Sequence, residues 1–427
     1  MARPHRLLGA AMSLAGLAGL AGLAGLAVAA IGQQDDPSVV IGALYPTQGA
    51  QAAGGTEEER GVRLAVDWAN AHGGVHGRDI ELRAASVDRA EAVPTALRGL
   101  ERDGVTIVLG SHGSAVSAAA ARVASDDDLV FFETGAVGEI APEVAAGQAF
   151  FRLAPMGANL GQAAIAFSRD HAAPGLGVTT PLRYAVAYID DAYGRAVAAG
   201  ALDEIGRSPG ELVGQFAYAP AGTDYDALAA DIGAARPDVL FVSAYLEDGV
   251  ALRQALVRAP VPLLVNIGTS SSYCHLAFGQ QLGADAVGLF ASDKPDAASV
   301  NPAGLTDEGR AALAWVRAEY ERRYREEMTA PALSGFSNAY AVLVHVLPAA
   351  STLSPAAVAD AALRVKLPEG SLANGGGLDL APPGSVDPGA NRAAAGVIWE
   401  WVAPATRAVV WPPALATQSL VPLRPAP

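Results

Sequence analysis

The chain predicts an α/β protein of two doubly wound parallel-sheet lobes joined by a hinge of several crossovers. Three observations carry this. Short apolar runs alternate with helical patterns along most of the 427 residues, the mark of parallel strands with crossover helices. The alternation runs once from Val39, breaks near Pro155 and restarts at Tyr184. After Val287 the elements form no third independent run, so they return to complete both lobes.

The first strand is Val39-Val40-Ile41-Gly42-Ala43-Leu44-Tyr45. It ends in small residues and an aromatic and leads through a Gly/Gln-rich loop to a helix, which places a ligand-sized crevice at its carboxyl end. Thr56-Glu57-Glu58-Glu59 reads as a capping box at the helix start. Val62, Ala65, Val66 and Ala69 supply its apolar stripe, and Gly73-Gly74 its end. Strands follow at Ile80–Ala84, Val105–Leu109 and Leu129–Phe132, with a helix over Ala92–Asp103. Gly110-Ser111-His112-Gly113-Ser114 opens an Ala-rich helix, and the fourth strand runs into Glu133-Thr134-Gly135-Ala136.

The second run has strands at Tyr184–Ile189, Leu212–Tyr218, Asp238–Ser243 and Leu263–Ile267. Asp190-Asp191 reads as a helix cap, Thr223–Asp226 as another helix start, and a further helix begins near Glu247. Beyond it come a strand at Val287–Ala291, a charged helix over Thr306–Met328 and an apolar one over Asn338–Ala349. Ser354-Pro355 starts another helix, with Ser as N-cap and Pro at the first helical position. Val397–Val402 alternates like a late strand, and the tail from Ala403 is Pro-rich and expected to be irregular. The expected lobes are 38–155 with about 292–350, and 156–291 with about 351–402, leaving 403–427 as tail.

Residues 1–31 combine Arg3 and Arg6 with an apolar stretch from Leu7 to Ile31 and an Ala27-Val28-Ala29 site. That pattern is an export signal or, given its length, an N-terminal anchor. The body is therefore expected in the periplasm or on the outer face of the cytoplasmic membrane. No later segment reads as long and apolar enough to span a bilayer. Cys274 is the single cysteine, so no intrachain disulfide forms. The net charge of −15 argues against nucleic acid and against anionic lipid.

The order and spacing of several short motifs resemble the type I periplasmic solute-binding proteins of ABC importers, in particular the leucine/isoleucine/valine-binding group. The residues are Val40-Ile41-Gly42 with Tyr45 and Gly49, then Ala71-His72-Gly73-Gly74-Val75-His76-Gly77-Arg78-Asp79-Ile80. Val108-Leu109-Gly110 with Ser114, Tyr193-Gly194 and Asp238-Val239-Leu240-Phe241 add to it. The likeness runs from about Val39 to Val402. It implies a small polar ligand (amino-acid-like, amide or carboxylate) enclosed as two lobes close, and a membrane permease as partner. A monomer without cofactor is expected. A sensory module on the same fold, acting on a regulatory partner, is the alternative.

Ser114 begins a helix, where free N–H groups and the dipole suit a carboxylate; the resemblance gives its hydroxyl the same role. Gly135 and Ala136 match a small pair whose backbone faces the ligand, with Val137 where the family commonly has a threonine. Tyr193, Tyr245 and Tyr45 supply apolar area and a hydroxyl each at strand ends. Thr269-Ser270 stands where many amino-acid-binding members carry a carboxylate, so Ser270 is a neutral candidate contact. Glu133 and Glu247 flank strand ends and read as solvated acids, with pairing to a ligand ammonium as the alternative. His112 is a candidate donor to a carboxylate or a local hydrogen-bond partner.

No enzyme is indicated. Cys274 and His275 are neighbours that do not form a catalytic pair. Neither a Gly-x-Ser-x-Gly elbow nor a phosphate loop is present, and the seven histidines lack metal-ligand spacing.

Overall fold

The computed structural model describes residues 37–420 apart from 50, 141–143, 145–148, 180, 220, 270 and 386. The apolar segment expected as signal or anchor, 1–31, lies outside the described residues, as does Ser270.

The first sheet has five parallel strands in the order β2-β1-β3-β4-β5. They are β1 Val39–Tyr45, β2 Ile80–Ser86, β3 Ile107–Gly110, β4 Val130–Glu133 and β5 Phe150–Arg152. A parallel sheet is covered on both faces, and β1 shows how. Val39, Ile41, Ala43 and Tyr45 enter one hydrophobic cluster, and Leu44 enters the other. The first face is packed by α1 (Ala52–Ala71), whose expected stripe Val62, Ala65, Val66 and Ala69 is buried. The second is packed by α2 (Val93–Arg102) and α3 (Ser114–Asp126) through residues such as Leu97, Leu100, Val116 and Ala120.

The second sheet holds β6 Arg183–Ile189, β7 Glu211–Tyr218, β8 Val239–Ser243, β9 Val265–Thr269 and β10 Phe290–Asp293, all parallel. β11 (Val397–Ala403) and β12 (Thr406–Trp411) add an antiparallel edge. The helices are α4 Gly157–Phe167, α5 Ala192–Arg207, α6 Tyr225–Ala235, α7 Leu246–Arg258 and α8 Leu276–Leu282. α4 packs closely on α5 because Gly161 and Gly200 face backbone: a Cβ on either would stand 2.2 Å from Val197 O or 2.0 Å from Ala158 O. The chain then returns through α9 (Asp307–Tyr324), α10 (Ala330–Tyr340) and α11 (Pro355–Arg364).

Several expectations are corrected. α1 starts at Ala52, so Thr56 lies inside it and is not its N-cap. The tail is not irregular throughout: the turn at Pro404-Ala405, with Ala405 at φ 54°, reverses the chain into β12. The tail's prolines flank that strand rather than interrupt it. The span 351–402 does not belong wholly with the second sheet, because α11 packs on β4 and on the helix before it. α10 starts eight residues before Asn338, at Ala330, capped by Thr329 with Pro331 in its first turn. Its continuation to Ala349 makes one helix long and apolar enough to cross a membrane, with 83% of that stretch buried inside the protein. It is the buried partner of α1. α4 was not anticipated, because its apolar residues Leu160, Ala164, Ile165 and Phe167 are interleaved with small ones.

Candidate ligand-binding cleft

Parallel strands present their carboxyl ends, and the helix starts that follow, on one edge of a sheet. On the second sheet this edge carries Tyr193 and Tyr245. Asp191 is the N-cap of α5, accepting from Gly194 N at 2.8 Å, which fixes Tyr193 in the first turn. Tyr245 precedes α7, and its hydroxyl donates to Asp191 Oδ2 at 2.7 Å. The two rings stack with centroids 5.4 Å apart. The Tyr193 hydroxyl lies 3.0 Å from Thr269 Oγ1 at the end of β9 and accepts from Ser271 N. The sequence indicated both tyrosines; it did not indicate that Asp191 and Thr269 would hold them.

On the first sheet, the corresponding edge is built around two buried carboxylates. Glu58 is fully buried on the inner face of α1. His112 Nδ1 lies 2.7 Å from Glu58 Oε2, and Thr134 Oγ1 donates to Glu58 Oε1 at 2.5 Å. The Tyr45 hydroxyl meets Thr134 Oγ1 at 2.6 Å, so Tyr45 sits in the core at 0% exposure rather than on an accessible wall. Burial, reinforced by Glu58, raises the Tyr45 phenol well above its usual range and keeps it neutral.

Glu133 is also fully buried, which overturns its reading as a solvated acid. It accepts from Ser111 N and Ser111 Oγ, and from Gly135 N and Ala136 N at 2.8 and 2.7 Å. The N–H groups of Gly135 and Ala136, expected to face a ligand, therefore serve this carboxylate. The reason is local: a strand-end glutamate folds back on its own turn and satisfies that turn's donors. Burial and the nearby Glu58 raise its pKa. Glu247 is exposed. Ser114 is the first residue of α3, with Gly113 at the cap, and its half-buried hydroxyl accepts from Gly138 N at 3.0 Å.

The two edges touch. α3 of the first sheet packs on α5 of the second. Lys294, directly after β10 and 6% exposed, donates to Gly135 O at 2.8 Å. Its neighbour Asp293 is 3% exposed and accepts from the Cys274 thiol at 2.8 Å. Burial, then Asp293, pushes that thiol well up, so Cys274 is neutral and unreactive. Sequence reasoning missed Glu58, Asp293 and Lys294. Glu58 had a readable signal, since it stands four residues before Val62 on the apolar stripe; the other two had none. Among the described residues no group of three His, Cys, Asp or Glu side chains is arranged to hold a metal.

Two α/β lobes crossed by several chain segments, with aromatic and hydroxyl groups lining the edges where they meet, define a solute-binding protein of the periplasmic type. Residues 38–377 match the sequence model of a family described as periplasmic binding protein. The chain belongs to that family. It is 29% identical over 349 residues, 80% of this chain and 83% of the relative, to Leu/Ile/Val-binding protein homolog 8 of Brucella abortus. In fold it is similar to a branched-chain amino acid transporter substrate binding protein from Streptococcus pneumoniae in complex with isoleucine. That match has TM-score 0.68 and 18% identity, covering 88% of this chain and 100% of the other. It is similar also to a leucine binding protein from Thermotoga maritima, with TM-score 0.69 and 17% identity over 87% and 97% of the two chains.

Proposed function

We propose that this protein is the exported solute-binding component of an ABC importer and captures a small amino-acid-like ligand between its two sheets' strand ends. The observation that carries the reading is the pairing of the stacked Tyr193 and Tyr245 on one edge with Ser114 and His112 on the other. Tyrosines offer apolar area and a hydroxyl to an amphipathic ligand. The start of α3 suits its carboxylate. Gly135, Ala136 and Tyr45 shape the first wall from behind. The relatives' names point toward leucine, isoleucine and valine, which supports an apolar amino acid over an amide or a simple organic acid.

The partner is a membrane permease, and the protein acts as a monomer without cofactor. Isothermal titration of the purified protein against the amino acids, their amides and organic acids tests the reading. One class is expected to bind tightly, with a negative heat-capacity change from apolar burial. Absence of binding across the panel would sink it. Light scattering checks the monomer.

A further inference from the structure

Asp293 stands out in the buried surface between the two sheets. It ends β10, with Ser292 before it donating to Leu160 O in α4, and Lys294 after it reaching Gly135 O on the first sheet. The carboxylate is thus held where the second sheet meets the first. Its Oδ2 accepts from the Cys274 thiol at 2.8 Å, a weak donor. Its Oδ1 is buried and has no hydrogen-bond partner.

Neither neighbouring cation, Lys294 or Arg407, hydrogen-bonds to Asp293, although Arg407 Nε is itself buried without a partner. Lys294 is bonded to Gly135 O. Arg407 donates to Asp296 Oδ2 at 2.6 Å and lies over the Trp399 ring, 4.1 Å from its centroid. His275, next to Cys274, has its pKa lowered first by burial and is neutral at pH 7. A buried carboxylate with an unfilled oxygen is costly unless a strong donor or a cation reaches it. The neighbouring strand end offers no competing charge: Thr269 is neutral, and its hydroxyl is taken by Tyr193. A metal ion does not fit, because no cluster of three ligating side chains exists among the described residues.

We infer that Asp293 is the counter-charge for a primary ammonium on the ligand, with Oδ1 as its acceptor. The assignment rests on the solute-binding reading above and extends it, since it requires the ligand to carry an amine. It also gives the second sheet a specificity-determining residue beside the tyrosines. An amine at Asp293 with its carboxylate toward the start of α3 lets one zwitterion bridge both sheets.

The test compares wild-type protein with Asp293→Asn by isothermal titration, using each amino acid bound in the panel and its desamino carboxylic acid. Wild type is expected to prefer the amine by about ten- to a hundredfold, the range of one charge-assisted contact. D293N is expected to lose most of that preference while keeping its affinity for the desamino acid. Thermal unfolding of D293N checks that it folds. The wild-type comparison stands even where the variant does not. Equal wild-type affinity for both ligands, or an undiminished preference in folded D293N, overturns the assignment alone. Binding of neither class by wild type overturns the solute-binding reading and this assignment with it.

Discussion

Glu58 and His112 are 54 positions apart in sequence and meet at 2.7 Å, joining the inner face of α1 to the loop that opens α3. Glu58 is fully buried and also accepts from Thr134. Removing a buried carboxylate leaves its partners unsatisfied. Glu58→Ala is therefore expected to cost on the order of 3 kcal/mol, and Glu58→Gln less, since an amide still accepts from Thr134. Urea unfolding of both variants checks this; equal and small losses would contradict it.

Asp191 and Tyr245 act as a unit. Asp191→Ala removes the α5 cap and the acceptor of the Tyr245 hydroxyl, with an expected cost of about 1–2 kcal/mol. Tyr245→Phe should cost about 1 kcal/mol. The double variant should fall short of the sum by roughly 0.5–1 kcal/mol, because both remove the same contact. Strict additivity in chemical denaturation would show that the contact contributes nothing.

Gly61 in α1 faces α10 so closely that a Cβ would stand 2.0 Å from Ala332 O. On an open helix surface, Gly→Ala gains about 1 kcal/mol. Here Gly61→Ala is expected to destabilise by about 1–3 kcal/mol, since two helix backbones must separate. A rise in the thermal midpoint would refute the close packing.

His275 is half-buried at the cap of α8, and burial lowers its pKa below the usual 6.5 or so. A group with a lowered folded pKa binds its proton first in the unfolded chain. Its contribution is present above that unfolded pKa and is lost as pH falls toward the folded one. Thermal midpoints at pH 7.5 and 5.5 should fall further in wild type than in His275→Gln. Parallel falls would remove His275 as the cause.

Four of the five first-sheet strands, the caps at Asp191 and Ser354, the helix start near Asp224 and the apolar stripe of α1 were legible in the sequence. Local rules suffice there: apolar periodicity selects the element, and a side-chain oxygen beside free N–H groups fixes its start. The same rules misplaced the start of α1. The loop into it carries Gly54 and Gly55, which read as breakers. Both are packed against neighbours: a Cβ would stand 2.3 Å from His112 Nε2 at Gly54 and 2.2 Å from Pro46 O at Gly55. Tertiary contact thus extends the helix through residues that local propensity would exclude.

By itself the sequence determined the α/β class, the two runs of strands, and Ser114, Tyr193 and Tyr245 as residues at strand ends and helix starts. Only the tertiary structure decided which polar groups are consumed within the protein. Glu133 takes the N–H groups of Gly135 and Ala136, Glu58 takes His112 and Thr134, and Asp293 keeps one oxygen without a partner. The reason is physical. Periodicity reports which side of an element is buried, whereas a hydrogen bond depends on approach within about 3 Å of groups far apart in the chain. That approach is fixed by how helices and sheets pack, and no local pattern encodes it.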